Sequence, residues 1–105
     1  MKTKRVDIYV GLGNQNKDKD IETIDSFKSK LAKHFKKYEV DFSIADQLGG
    51  YVREDGSYIV EDSLRITLVG DTKEEDLNEF IDFIKKEYNQ ETIMVDIVDL
   101  DVKLM

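Results

Sequence analysis

Asp55-Gly56 sits between two β-prone runs near the middle of the chain. Asp-Gly flanked by alternating apolar residues is the strongest short hairpin signal a sequence offers. Each side of this hairpin carries its own strand and amphipathic helix pattern. A central hairpin with a strand–helix unit on either side leaves few topologies open, because connections are short and sequential elements pack as neighbours.

Val6, Ile8 and Val10 alternate with Asp7, Tyr9 and Gly11, a period-2 strand with one buried face. A polar loop, Gly11 to Asp20, follows. Ile24, Phe27, Leu31, Phe35 and Tyr38 then recur at spacings of three and four, which predicts a helix from Ile21 to Tyr38 with Asp20 as its N-cap. Val40, Phe42 and Ile44 give a second strand, and Gly49 to Glu61 forms the hairpin. That run continues through Leu64, Ile66 and Leu68, and Gly70 ends it. Thr72 and Glu75 have capping-box spacing and open a second helix with the stripe Leu77, Phe80, Ile81, Ile84 and Tyr88. Ile93, Val95 and Ile97 form the last strand. The apolar parity then switches to Val98, Leu100, Val102 and Leu104, which predicts a bulge or a tail leaving the sheet.

The order β-α-β-(hairpin)-β-α-β predicts an α+β, ferredoxin-like plan: an antiparallel sheet with two helices on one face. The other sheet face is left open. Tyr9, Val69, Met94 and Val98 point there by parity, so it is expected to be a dimer surface.

The chain has 105 residues, 40% of them hydrophobic, enough for one core and one domain over 1–105. Sixteen basic against 23 acidic residues give a net charge of −7. That argues against long nucleic acid and anionic membranes, which are bound through basic excess. There is no cysteine, so disulfides and cysteine-bearing zinc motifs are excluded. No apolar run approaches the ~18 residues of a membrane span. No apolar stretch follows the basic Met1-Lys2-Thr3-Lys4-Arg5, so a cytoplasmic protein is expected.

Catalytic and metal signals are weak. Gly11-Leu12-Gly13-Asn14 lacks the third glycine of a dinucleotide loop, with Asn16 in its place. Asn14, Asn16, Asp18 and Asp20 alternate like a calcium loop, but Lys19 and Asp25 stand where glycine and glutamate belong. His34, the sole histidine, reads as a cation near a helix C-terminus. Asp96, Asp99 and Asp101 read as charges that keep a strand from pairing with its own copy. No catalytic residue, metal ligand or cofactor is expected, and the chain reads as a binding protein rather than an enzyme.

Binding signals are stronger. Tyr51 and Arg53 share a hairpin face by period 2, an aromatic beside a guanidinium that suits a stacked base and its phosphate, with Tyr58 nearby. Phe83 lies well off the core stripe of its helix, as a subunit contact or stacking platform does. Asn89-Gln90-Glu91 ends the second helix, either as a cap or as a set of groups able to read a ribose or base edge.

Val6-Asp7-Ile8-Tyr9-Val10-Gly11-Leu12, the Gly49/Gly50-Tyr51 turn, Glu54-Asp55-Gly56, Glu61 with Leu64-Arg65-Ile66, and Asn89-Gln90-Glu91-Thr92-Ile93 together resemble a group of small phage proteins. That group includes the first Thoeris anti-defence family, sponges for a cyclic ADP-ribose immune signal. The resemblance implies a homodimer or higher homo-oligomer with pockets at subunit boundaries. It implies capture of a cyclic nucleotide signal without degradation. Carried over to this sequence, it implies ligand contacts at Tyr51, Arg53, Asn89 and Gln90, with Phe80 or Phe83 stacking on the base. Phe80 fits the core stripe, which favours Phe83. Where the family pattern has a tail arginine, this chain offers Lys103. The competing expectation is a non-enzymatic protein-interaction module that dimerises through its sheet.

Overall fold

The computed structural model describes residues 1–12, 17–88 and 93–105, and the side chains of all of these except 17–23, 51 and 88. The elements are β1 (Lys2–Gly11), α1 (Lys17–Lys37), β2 (Asp41–Val52), β3 (Tyr58–Val69), α2 (Glu74–Tyr88) and β4 (Met94–Asp101). The sheet order is β2-β3-β1-β4, and every adjacent pair is antiparallel. Each strand–helix–strand unit therefore skips over one strand of the other unit. This is the ferredoxin-like plan expected from the element order.

Alternation decides which face is covered. Val6, Ile8 and Val10 of β1 pair beside Leu68, Ile66 and Leu64 of β3, and all six are buried. Phe27, Leu31 and Phe35 of α1 and Phe80 and Ile84 of α2 close over them. Ile24 and Tyr38, the ends of the expected α1 stripe, are only half-buried.

Four boundaries differ from the sequence expectation. Helix α1 starts at Lys17, so Asp20 lies inside it instead of capping it. Its far end closes with a Schellman arrangement: the Val40 N–H donates to the Phe35 carbonyl (3.2 Å) and the Glu39 N–H to that of Lys36 (3.1 Å). Glu39 takes the left-handed conformation this needs, at φ 55°. Helix α2 opens at Glu74, with the Lys73 carbonyl accepting from the Leu77 N–H, so the Thr72–Glu75 spacing falls one residue early. Strand β2 runs on through Gly49-Gly50 to Val52, because β3 supplies a partner residue for each of its positions.

The fourth concerns β4. Its pairing with β1 is regular from Tyr9↔Met94 to Lys2↔Asp101, with no bulge. The parity switch means instead that the strand is apolar on both faces: Val95 and Ile97 lie on the helix side, Val98 and Leu100 on the open side. The expected open face is present, and Tyr9, Val69, Met94 and Val98 do lie on it by register. Its centre is polar. Asp7, buried, accepts from Arg5 Nε (2.9 Å) and Thr67 Oγ1 (2.7 Å), and Tyr9 donates to Asp96 (2.8 Å).

Candidate functional site

Strand β3 pairs with β1 only from Ser63 onward, whereas β2 stays with it to the turn. Residues 48–52 and 58–62 therefore form a two-stranded overhang beyond the body of the sheet. Its tip is a three-residue loop: the Arg53 N–H donates to the Ser57 carbonyl (2.8 Å) and the Gly56 N–H to that of Arg53 (2.9 Å). Gly56 supplies the positive φ, 86°, that a type I turn followed by a bulge requires. Asp55 accepts from both the N–H (2.9 Å) and the hydroxyl (2.6 Å) of Ser57, and these bonds hold its carboxyl below the usual carboxylate range. The Asp-Gly signal thus marks the right turn, with one more residue in the loop than the tightest hairpin.

The overhang has two unlike faces. On the helix side lie Leu48, Val52, Tyr58 and Val60, all exposed because no helix reaches them. Gly50 sits among them, and a Cβ built there would stand 2.5 Å from Tyr58 Oη. The tyrosine therefore reaches back diagonally over the glycine and fills the place of its missing side chain. On the opposite face lies Glu61, only 8% exposed and paired with Gly49 in the ladder.

At the foot of the overhang, between α1 and the β2–β3 pair, is a cavity of about 330 Å³. Leu12 and Ile24 give it an apolar side; Asp25, Asp46, Asp62 and Lys28 give it charge. Lys28 Nζ is spent on Asp46, at 2.9 Å. Two further carboxylates remain, so the cavity is acidic. It opens between helix and sheet at the point where Leu48 pairs with Asp62, so the apolar face of the overhang begins at its rim.

A second cavity, of about 340 Å³, lies on the open sheet face over Arg5, Asp7, Tyr9, Ser43, Arg65 and Thr67. The hydrogen bond to Asp96, reinforced by burial and by the charges of Asp96 and Asp7, raises the Tyr9 hydroxyl above its ordinary value.

The expected site residues scatter in one chain. Arg53 is exposed at the hairpin tip. Phe80 is fully buried under His34, Phe35 and Tyr38, which corrects its reading as a base-stacking residue: it has no free face. Phe83 is half-buried, with one face stacked on His34 at 4.4 Å and 8°. Its position off the stripe is met by an aromatic from the neighbouring helix. His34 accordingly packs between the helices rather than standing as a terminal cation, and its Nε2 is buried with no hydrogen-bond partner among the described residues. Beside it, the hydrogen bond from Tyr38 to the Glu79 carboxylate pushes the tyrosine up to about 12. Lys103 is exposed beyond β4. The side chain of Tyr51, and Asn14, Asn16, Asn89, Gln90 and Glu91, lie outside the described residues, as do the side chains of Asp18, Asp20 and Tyr88. Among the described residues no cluster of His, Cys, Asp and Glu is placed to hold a metal, and no helix is long and apolar enough to cross a membrane.

The acidic cavity was not legible beforehand. Asp46 and Asp62 lie on the helix-side face of their strands, where the β2–β3 pairing sets them diagonally side by side, and Asp25 joins them only when α1 docks.

No protein-family model matches the chain, and the comparison with curated proteins finds no match. Solved structures do match. A phage SAM lyase in complex with S-methyl-5′-thioadenosine has a TM-score of 0.63 at 23% identity, over 91% of this chain and 80% of that one. A phage SAM lyase in the apo state has a TM-score of 0.62 at 19% identity, over 99% and 93%. The periplasmic divalent cation tolerance protein CutA from Archaeoglobus fulgidus has a TM-score of 0.61 at 15% identity, over 99% and 88%. These likenesses establish the fold. They also correct the expectation of a chain with no enzymatic role: two of these neighbours are structures of a lyase, and the absence of familiar catalytic motifs does not set this fold apart from enzymes.

Proposed function

We propose that this chain is a small phage-type enzyme that binds S-adenosylmethionine and cleaves it as a lyase, depriving a host of that metabolite as an anti-defence measure. The observation that carries the reading is the acidic cavity at the foot of the overhang, in a fold that a phage SAM lyase matches over most of its length. S-adenosylmethionine bears a sulfonium and an ammonium against one carboxylate, so it is a net cation. At an effective dielectric of 20, one charge pair at about 4 Å is worth about 4 kcal/mol, and Asp25 and Asp62 are not spent on a lysine. The net charge of −7 has the same sign of preference and steers a cation inward.

Release of S-methyl-5′-thioadenosine breaks the bond between sulfur and the γ-carbon of the methionine part. The electron pair passes to sulfur and the sulfonium charge is lost. The four-carbon remainder then either gives up a β-proton or is closed by its own carboxylate. Aspartates that attract the sulfonium hold the substrate more tightly than a transition state in which that charge fades, so they account for binding and not for rate. Asp62, on the cavity side of β3, is the residue we assign to the ammonium of the remainder.

Incubation of the purified protein with S-adenosylmethionine should yield S-methyl-5′-thioadenosine by liquid chromatography, and Asp62→Asn should raise KM by about tenfold or more while leaving the circular dichroism unchanged. Intact substrate after long incubation with the folded protein would end this reading. The second reading is a cyclic ADP-ribose-type immune signal as the ligand. Arg53 favours it, as an exposed guanidinium with no described partner able to meet a phosphate. The ligand's own negative charge opposes it at the acidic cavity. Mass spectrometry of a mixture of the two ligands, before and after incubation, separates them.

A further inference from the structure

We propose that the helix-side face of the overhang is the platform for the adenine ring, with Tyr58 as the stacking residue and Gly50 as the residue that lays it flat. This inference rests on the reading of an adenosyl sulfonium as the ligand and assigns the other end of that ligand. Four apolar side chains on one face of an uncovered ribbon form a patch that a solvent-facing strand does not need. The patch begins at the rim of the acidic cavity, since Leu48 pairs with Asp62. The Gly50↔Val60 pair lies two residues further out, about 7 Å along the strand at its usual rise. That is the span of a ribose, the unit that separates sulfur from base in an adenosyl sulfonium. A cationic pole and a flat aromatic pole joined by one sugar match a carboxylate-lined hollow that continues into an apolar shelf.

Gly50 and Tyr58 make the shelf specific. Any side chain at position 50 would meet the tyrosine hydroxyl end at 2.5 Å. The ring would have to lift, turning an edge rather than a face toward a ligand lying along the ribbon. Tyrosine keeps its rigid body and its polar tip at little entropic cost, which suits a recognition surface.

The test uses two ligands that divide the substrate. S-methyl-5′-thioadenosine carries the adenosine without positive charge; S-methylmethionine carries the sulfonium without adenosine. Base–aromatic stacking is worth about 1–3 kcal/mol, so Tyr58→Ala should weaken S-methyl-5′-thioadenosine by about tenfold in calorimetric titration. Gly50→Ala should weaken it in the same direction, and both should leave S-methylmethionine unchanged. The exposure of Tyr58 makes its removal harmless to folding, and a melting curve checks this. If the wild type binds both compounds and Tyr58→Ala binds S-methyl-5′-thioadenosine undiminished, the platform is overturned while the adenosyl-sulfonium reading stands. If the wild type binds neither, that reading falls and the platform with it. If Tyr58→Ala changes sedimentation and not ligand affinity, the shelf belongs to a second copy and the inference is wrong.

Discussion

Strands β2 and β3 hold two regions built from one pattern with opposite fates. In the inner half, Leu64, Ile66 and Leu68 alternate with polar residues and are fully buried. In the outer half, Val60 and Tyr58 continue the same alternation on the same face and stay in solvent. The strands do not change; the helices above them stop. Burial is therefore a property of what lies across the layer. An alternating strand announces a face fit for covering without saying whether its own chain covers it.

The comparison can be broken most forcefully at its inner end. Phe35→Ala should destabilise by about 3–5 kcal/mol, since the ring is fully buried against Phe80 and Phe42, whereas Val60→Ala should stay within about 0.5 kcal/mol. Urea denaturation of both variants measures the gap. A loss at Val60 matching that at Phe35 would mean that the overhang is covered in solution.

A middle effect is expected on the open face of the inner half. Asp7→Ala removes two hydrogen bonds to a buried carboxylate and should cost about 2 kcal/mol by the same denaturation. Asp96→Ala, whose bond to Tyr9 is exposed, should cost far less. Equal losses at the two positions would show that burial is not what gives the Asp7 network its strength.

Smaller, and of opposite sign, is Glu39→Gly at the α1 terminus. A left-handed φ costs an ordinary L-residue about 1 kcal/mol that glycine avoids, so the variant should melt a few degrees higher. A lower melting temperature would mean that the glutamate side chain earns its place by other contacts.

The smallest effect lies at the tip. Because folding lowers the Asp55 carboxyl, its contribution is full above the ordinary carboxylate value of about 3.9 and is lost as pH falls through the lower folded value. The melting temperature of Asp55→Asn should fall less steeply than that of wild type over that acid window, and the two should differ by a constant amount near neutrality.

Much of the fold was legible because the chain states it locally. Phe27, Leu31 and Phe35 keep helical spacing; Val6, Ile8 and Val10 keep strand spacing; Asp55-Gly56 sits at the reversal. Strand β4 was misread because a strand paired on one edge and apolar on both faces imitates a change of register. The site was largely illegible for a different reason. His34 and Phe83 lie on separate helices, and their 4.4 Å stack exists only once both dock on the sheet. Asp46 and Asp62 meet through the β2–β3 hairpin, but Asp25 lies on α1 and nothing in the sequence spacing brings it to them. At Gly50 the close group is the hydroxyl end of Tyr58, eight positions along the chain, which only the strand pairing brings there.

The carboxylate of Asp7 has one more consequence. It ties β1 to β3 through Thr67, and Arg5 of its own strand holds its second oxygen. Were the two strands to zip together one position out of step, that anion would be driven among Ile66, Leu68 and the phenylalanines with no guanidinium or hydroxyl to receive it. The penalty falls on the error alone, so a mispaired chain is pushed back apart before its helices can seal the mistake in. A polar knot on the uncovered side of the sheet thus proofreads the assembly of the dry side.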